Sequence, residues 1–244
     1  MKLVRLGDVA RIVCGRSLDQ SNAACWNGTI PWVTAKDIRG AHINDSLERI
    51  TEFGLKESAS NLLPVGSILV SARLTLENVV INDVPVAISN DLKAIIIESP
   101  DIDRNYVQQF LLSKASNLEL GGKKEMKNEC VTENLADIDI PLLPLEEQRR
   151  IALILDKAGN ICKNRRATIK LADSFLYSIS LRRFGDPVTN PKEWPTHPMA
   201  VQERYLQIHN QMVSIKAKFA NELVQSNFLF NSLAASVFTS SEAA

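Results

Sequence analysis

Cysteine and histidine are scarce in this chain. Cys14, Cys25, Cys130 and Cys162, with His42, His197 and His209, are scattered through 244 residues. No CxxC pair occurs, and no local run supplies the four convergent ligands of a zinc site, so no metal is expected. Small buried thiols in a reducing cytosol are the expectation, which makes the chain cytoplasmic. Long apolar runs are missing too. Nothing approaches the ~18 residues of a membrane span, and the start, MKLVRLGDVARIV, has no signal-peptide pattern. Neither charge dominates: 28 Lys+Arg meet 28 Asp+Glu, which excludes a histone-like or tail-driven polyanion binder.

Catalytic signatures are also lacking. There is no GxGxxG turn, and Gly121-Gly122-Lys123 is followed by Lys124 where a phosphate-binding loop needs Ser or Thr. The one Asn-Pro, Asn190-Pro191, runs on into Lys192 and Glu193, not into the proline and aromatic of an amino-methyltransferase loop. No cofactor is expected. Pro100-Asp101 with Glu125-Met126-Lys127 matches a nuclease pattern in which carboxylates hold Mg²⁺ and a lysine supports the attacking water. Such a triplet belongs on a core strand. Here it lies in the polar run GGKKEMKNE, and a non-enzymatic chain is the better reading.

What is present divides the chain in two. Residues 1–145 carry 15 basic and 19 acidic side chains, and residues 146–244 carry 13 and 9. The first part reads as a mixed α/β domain. β-rich runs at Ile30–Thr34, Ser67–Ser71, Val79–Ile81, Val84–Ile88 and Leu92–Ile97 are separated by turn residues, with Asn82-Asp83 as a tight turn and Pro85 at an edge. Asp103 is the expected cap of a helix over 104–118. Pro141 and Pro144 make a stiff, extended exit.

From Glu146 apolar residues recur at spacings of three and four. Ile151, Ile154, Ala158, Ile161, Phe175 and Ile179 form a heptad seam, flanked by Leu155, Cys162, Ile169 and Leu176. Gly159-Asn160 is its weak point and the place for a kink. A helix over 146–183 would be ~57 Å long. Prolines break 184–199. A second helix over 200–238 follows, its seam carried by Ile208, Met212, Ile215 and Phe219, and 239–244 reads as a disordered tail. Matching lengths predict an antiparallel coiled-coil hairpin within one chain. The alternative is that each helix pairs with a different chain.

Three loops offer contact chemistry for DNA. Thr34, Lys36, Asp37 and Arg39 follow the Pro31-Trp32 strand, and Arg73 and Asn78 follow Ser67–Ser71. Lys123, Lys124 and Lys127 follow two glycines, which let the backbone approach a groove while the lysines neutralise phosphates. Arg and Asn can pair with base edges. A solvated surface loop is the bland alternative for the lysines.

The motifs VRLGDVARIVCG, IPWVTAKDI at 30–38, GSILVSAR at 66–73, AISNDLKAI at 87–95, IPLLPLEEQRRIALILD at 140–156 and FGDPVTNPKEWP at 184–195 occur in order. Together the chain resembles the specificity subunits of type I restriction–modification systems. The resemblance implies an α+β target recognition domain (1–145) followed by spacer helices, and a non-catalytic reader of double-stranded DNA. It also implies docking of methyltransferase subunits, which in turn admit restriction subunits. After FGDPVTNPKEWP the family continues into a second recognition domain, whereas this chain passes to its second helix. A half-length form pairing with itself as a homodimer follows. The other reading is a truncated interaction module or decoy that no longer reads DNA.

Overall fold

The computed structural model describes residues 2–71, 79–120, 135–184 and 199–239. Arg73, Asn78, Lys123, Lys124 and Lys127, with Glu125 of the nuclease-like pattern, lie outside the described residues. The chain divides into two units, Met1–Ile154 with Ala234–Ala244, and Leu155–Leu233.

Among the described residues, the first unit is built on three sheets. β1 (Lys2–Arg5) leads through the short helix α1 (Leu6–Val9) into β2 (Ala10–Cys14). β3 (Trp26–Val33), β4 (His42–Ile43) and β5 (Glu48–Ile50) follow, then α2 (Glu52–Glu57), β6 (Ile68–Ser71), β7 (Val79–Asn82), β8 (Ala87–Ile88) and β9 (Leu92–Ile97). α3 (Arg104–Leu120) and β10 (Asp139–Leu142) complete the domain. The five-stranded sheet has the order β2-β9-β6-β7-β4, antiparallel except for the parallel β4–β7 pair. A three-stranded sheet runs β5-β3-β8.

Asn82-Asp83 does not close a hairpin, because the strands on either side of it enter different sheets. Buried Asn82 ends β7 and donates from Nδ2 to the carbonyls of Pro64 and Val84 at 2.9 and 2.8 Å. β8 then leaves to pair in parallel with β3, as an edge strand. β6 and β7 are buried at almost every position, as strands covered on both faces must be. On one face Leu69 and Val80 join Val33, Leu63, Val86 and Ile88 in the main core. α3 touches β7, and its buried Gln108 donates to the carbonyls of Ala41 and Val79.

Asp103 caps α3, its carboxylate accepting from the backbone N–H groups of Asn105 and Tyr106 at 2.9 and 3.1 Å. The Tyr106 hydroxyl donates to the Pro141 carbonyl at 3.0 Å, and burial pushes its pKa up to about 12, so it stays a donor at any physiological pH. β1 pairs antiparallel with β10, Lys2 opposite Leu142 and Arg5 opposite Asp139, which sets the start of the domain beside its exit.

Pro144 opens α4 (Leu145–Phe184) by fixing a helical φ where no intrahelical N–H is needed. Gln148, fully buried in the first turns, is the joint. Its Oε1 accepts from Asp103 N at 2.9 Å, and its Nε2 donates to the carbonyls of Asp101 and Leu143, both at 2.8 Å. The last turns of α5 (Met199–Thr239) also belong to this unit rather than to a spacer. Phe238 sits against Tyr106 and Phe110, with ring centroids 5.6 and 5.1 Å apart.

In the second unit α4 and α5 run antiparallel. Arg165 reaches the Glu222 carboxylate at 3.6 Å, the Glu222 carbonyl and Ser226, and Asp173 pairs with Lys216. These ties lie within one chain. The seam differs in phase from the expected one. Leu155 and Cys162 are buried, whereas Ile154, Ile161, Phe175 and Ile215 are 43–51% exposed. Ala158, Ile179, Met212 and Phe219 are half-buried, Ile151 is buried, and Ile208's side chain is not among those described. Leu155 and Cys162 of the flanking row turn inward and four of the expected residues turn outward, because the apolar stripe is wider than the interface. The helix continues through Gly159 without a break, and a Cβ built there meets nothing within 4 Å. Gly159→Ala is therefore expected to stabilise the protein by about 0.5–1 kcal/mol, read as a raised midpoint in thermal unfolding.

Candidate functional site

β3 carries buried Trp32 and Val33 into the first unit and ends in the loop that holds the Thr34–Arg39 candidates. That loop is fixed by one carboxylate. Asp37 Oδ2 accepts from Thr34 N at 2.8 Å and Thr34 Oγ1 at 2.7 Å, and its Oδ1 accepts from Leu47 N at 2.8 Å. Both Asp37 oxygens are engaged, and so is the Thr34 hydroxyl, which also accepts from Lys36 N at 3.3 Å. Asp37 and Thr34 thus shape the loop. Ile38, 3% exposed, plugs it into the core. Lys36 and Arg39 remain exposed on this braced scaffold.

Beside the loop lies a cleft of about 540 Å³, lined by Arg16, Gln20, Trp26, Trp32, Lys36 and Asn90 among others. It exists because four segments distant in sequence meet. Gly15 allows the first to approach: a Cβ there would fall 1.8 Å from the Ser89 carbonyl oxygen. Arg16 then bridges to Ser89, and its N–H donates to the Ile88 carbonyl at 3.2 Å. Trp26 packs edge-on to Trp32, centroids 6.4 Å apart, and its Nε1 donates to the Asp19 carbonyl at 3.0 Å.

Two exposed carboxylates brace neighbouring loops. Hydrogen bonds from the Ser21 backbone and hydroxyl hold Asp19 below the usual carboxylate range. Asp45 is lowered by the Ser46 N–H and by Arg49, 2.7 Å away. Because both folded-state values are depressed, this support is present at neutral pH and is lost as the pH falls through them.

The cleft and loop thus present three exposed cations, Arg16, Lys36 and Arg39, and two side-chain amides around a partly aromatic floor. Such a set suits phosphate oxygens and base edges. Arg16, Gln20 and Asn90 escaped the sequence reading. Asn90 stands inside one of the ordered motifs and Arg16 directly follows another, where a cation after the glycine that succeeds a strand was the available signal. Among the described residues no cluster of His, Cys, Asp and Glu is placed to hold a metal, and no helix is long and apolar enough to cross a membrane.

Comparison with known proteins agrees with the motif order. Residues 1–171 match the type I restriction modification DNA specificity domain family. The chain is 28% identical over 159 residues to the type I restriction enzyme EcoR124I/EcoR124II specificity subunit of Escherichia coli, covering 62% of this chain and 39% of that subunit. It is 25% identical over 189 residues to the MjaIX specificity subunit of Methanocaldococcus jannaschii, covering 74% of this chain and 42% of the relative. It therefore spans about two fifths of the length of these relatives. Among solved structures, the HsdS subunit of Thermoanaerobacter tengcongensis superimposes with a TM-score of 0.50 at 26% identity, over 68% of this chain and 39% of that one. The chain belongs to the type I restriction modification DNA specificity domain family.

Proposed function

We propose that this chain is a non-catalytic sequence reader that recognises one half-site of double-stranded DNA within a type I restriction–modification complex. The observation that carries this reading is the braced loop, with Lys36 and Arg39 held out by the Asp37 staple beside Arg16 and the cleft. The helices serve as spacer and as docking surface for methyltransferase subunits, and restriction subunits join through those. Arg73, Asn78 and the lysines at 123, 124 and 127 remain proposed DNA contacts.

Filter binding by the chain assembled with its methyltransferase subunits tests this, using DNA selected from a random pool. Arg16→Ala and Arg39→Ala are each expected to weaken binding to selected DNA by roughly 10–100-fold, as loss of one good base-edge pair does. Asp37→Ala is expected to weaken it through disorder of the loop. Selection of no sequence at all would favour the second reading, an interaction module or decoy, which the four-charge acidic excess of residues 1–145 supports. Addition of Mg²⁺ to the purified chain is expected to give no cleavage.

One recognition domain reads one half-site, so a second copy is needed for a bipartite target. The outward apolar row of Ile154, Ile161 and Phe175, with Phe228 71% exposed on α5, supports a self-association face. Sedimentation equilibrium is expected to show a dimer, and methylation mapping an inverted repeat with a fixed spacer. A modified site with two unrelated halves would rule that arrangement out.

A further inference from the structure

We propose that α4 carries a second, sequence-independent contact for double-stranded DNA, a stripe formed by Lys163, Arg166 and Lys170 that takes backbone phosphates. The inference rests on the DNA-binding reading above and adds a surface outside the recognition domain.

Most of α4's other described cations are answered within the chain. Arg149 meets Glu146 and Asp103, Arg150 meets Glu147, and Arg165 meets Glu222. Lys163, Arg166 and Lys170 are exposed and have no ion pair or side-chain hydrogen bond among the described residues. The nearest acid along the helix, Asp173, is engaged by Lys216 of α5, and Asp156 accepts from Asn160. At 100° per residue the three cations fall within an arc of about 60°, and they cover about 10 Å of helix axis. Like charges at spacings of three and four residues destabilise a helix, so this grouping works against the fold unless an anion covers it.

The placement argues for the kind of anion. The basic stripe lies on one side of the row formed by buried Leu155 and Cys162 and half-buried Ile169. The outward apolar row of Ile154, Ile161 and Phe175 lies on the other. A protein partner has the apolar flank to dock on, with hydrophobic surface to bury. The opposite flank offers only long, flexible cations. That chemistry suits an extended row of phosphates, and 10 Å matches about three base-pair steps along one DNA strand. The charge distribution agrees. Residues 145–184 hold nine basic and four acidic side chains, while the recognition domain is acidic overall, so the helix supplies attraction that the domain lacks.

The test uses the complex of the full chain with its methyltransferase subunits. The variant carries Lys163→Gln, Arg166→Gln and Lys170→Gln together, all surface positions whose replacement relieves repulsion. The salt dependence of DNA binding is measured for both proteins. The variant is expected to bind more weakly at low salt, with the slope of log K against log salt shallower by about 2–3, as loss of two or three phosphate contacts requires. The sequence selected from a random pool is expected to stay the same, and phosphate-ethylation interference is expected to disappear at positions flanking the selected bases. An unchanged slope overturns the proposal. So does an unchanged slope with lost co-sedimentation of methyltransferase subunits in the absence of DNA, which assigns the stripe to a protein. A wild-type complex that selects no sequence but shows the slope difference sinks the reading of residues 1–145 and leaves the stripe standing.

Discussion

Replacing Gln148 by Leu is expected to lower stability by about 2–4 kcal/mol, although the new side chain is apolar and similar in size. Gln148 is fully buried, and its amide makes three hydrogen bonds that nothing else in its surroundings replaces. Leucine would leave the Asp103 N–H and the carbonyls of Asp101 and Leu143 without their partner. A buried polar group left unpaired costs about 1–3 kcal/mol, and part of the total is returned by better burial of the leucine. For a domain of this size the loss corresponds to a midpoint shift of roughly 5–15 °C. Gln148→Glu separates the hydrogen-bond argument from packing. A carboxylate keeps the acceptor for Asp103 N but turns two donors into repulsions with carbonyl oxygens. It should therefore be at least as damaging as leucine at neutral pH, and less so in acid, where the protonated form donates again. Equal stability of wild type and both variants would show that the joint carries no energy. The prediction also explains the extended exit: Pro144 and Gln148 together fix where the helix begins relative to the domain it leaves.

That joint was only half legible in the sequence. Pro141, Pro144 and the change of periodicity announce the end of one element and the start of another, and Asp103 reads as a cap from its place before an apolar run. A buried glutamine at position 148 does not read as such, because Glu146, Glu147, Gln148, Arg149 and Arg150 look like one solvated helical turn. Only a contact across more than forty residues makes it interior. The sheets divide the same way. Local alternation and turn residues locate β6, β7 and β9, but β8 pairs in parallel with β3, a partner more than fifty residues away, so no local pattern could place it in the second sheet. The cleft was invisible for this reason, since segments near residues 16, 34, 47 and 89 form it together. Asp37 shows the other side of this limit. Its residue type suits base contact, yet both its oxygens are used within the loop, which hydrogen-bond geometry shows and composition does not.

Leu155→Ala is expected to cost about 2–5 kcal/mol, while Ile154→Ala, one residue away, costs well under 1 kcal/mol in the free chain. The two positions lie 100° apart on α4, so a shift of one residue in the seam exchanges their environments. The sequence does not choose between them, because 151/154/158/161 and 151/155/158/162 are both apolar rows with coiled-coil spacing. The structure chooses the second: Leu155 is 1% exposed and Cys162 8%, against 43% for Ile154 and 51% for Ile161. Truncating a fully buried leucine loses its transfer energy and leaves a cavity, and truncating a half-exposed isoleucine does neither to the same extent. Chemical denaturation of the two variants at low protein concentration makes the comparison. Reversed costs would place the interface on the other row and would turn the basic stripe at Lys163, Arg166 and Lys170 toward a different neighbour. Concentration adds a second reading from the same proteins. If Ile154 lies at a surface where a second copy docks, its truncation becomes more damaging as protein concentration rises, because a dimer's stability includes its association energy. The Leu155 variant should lose the same energy at every concentration, since its partners belong to its own chain.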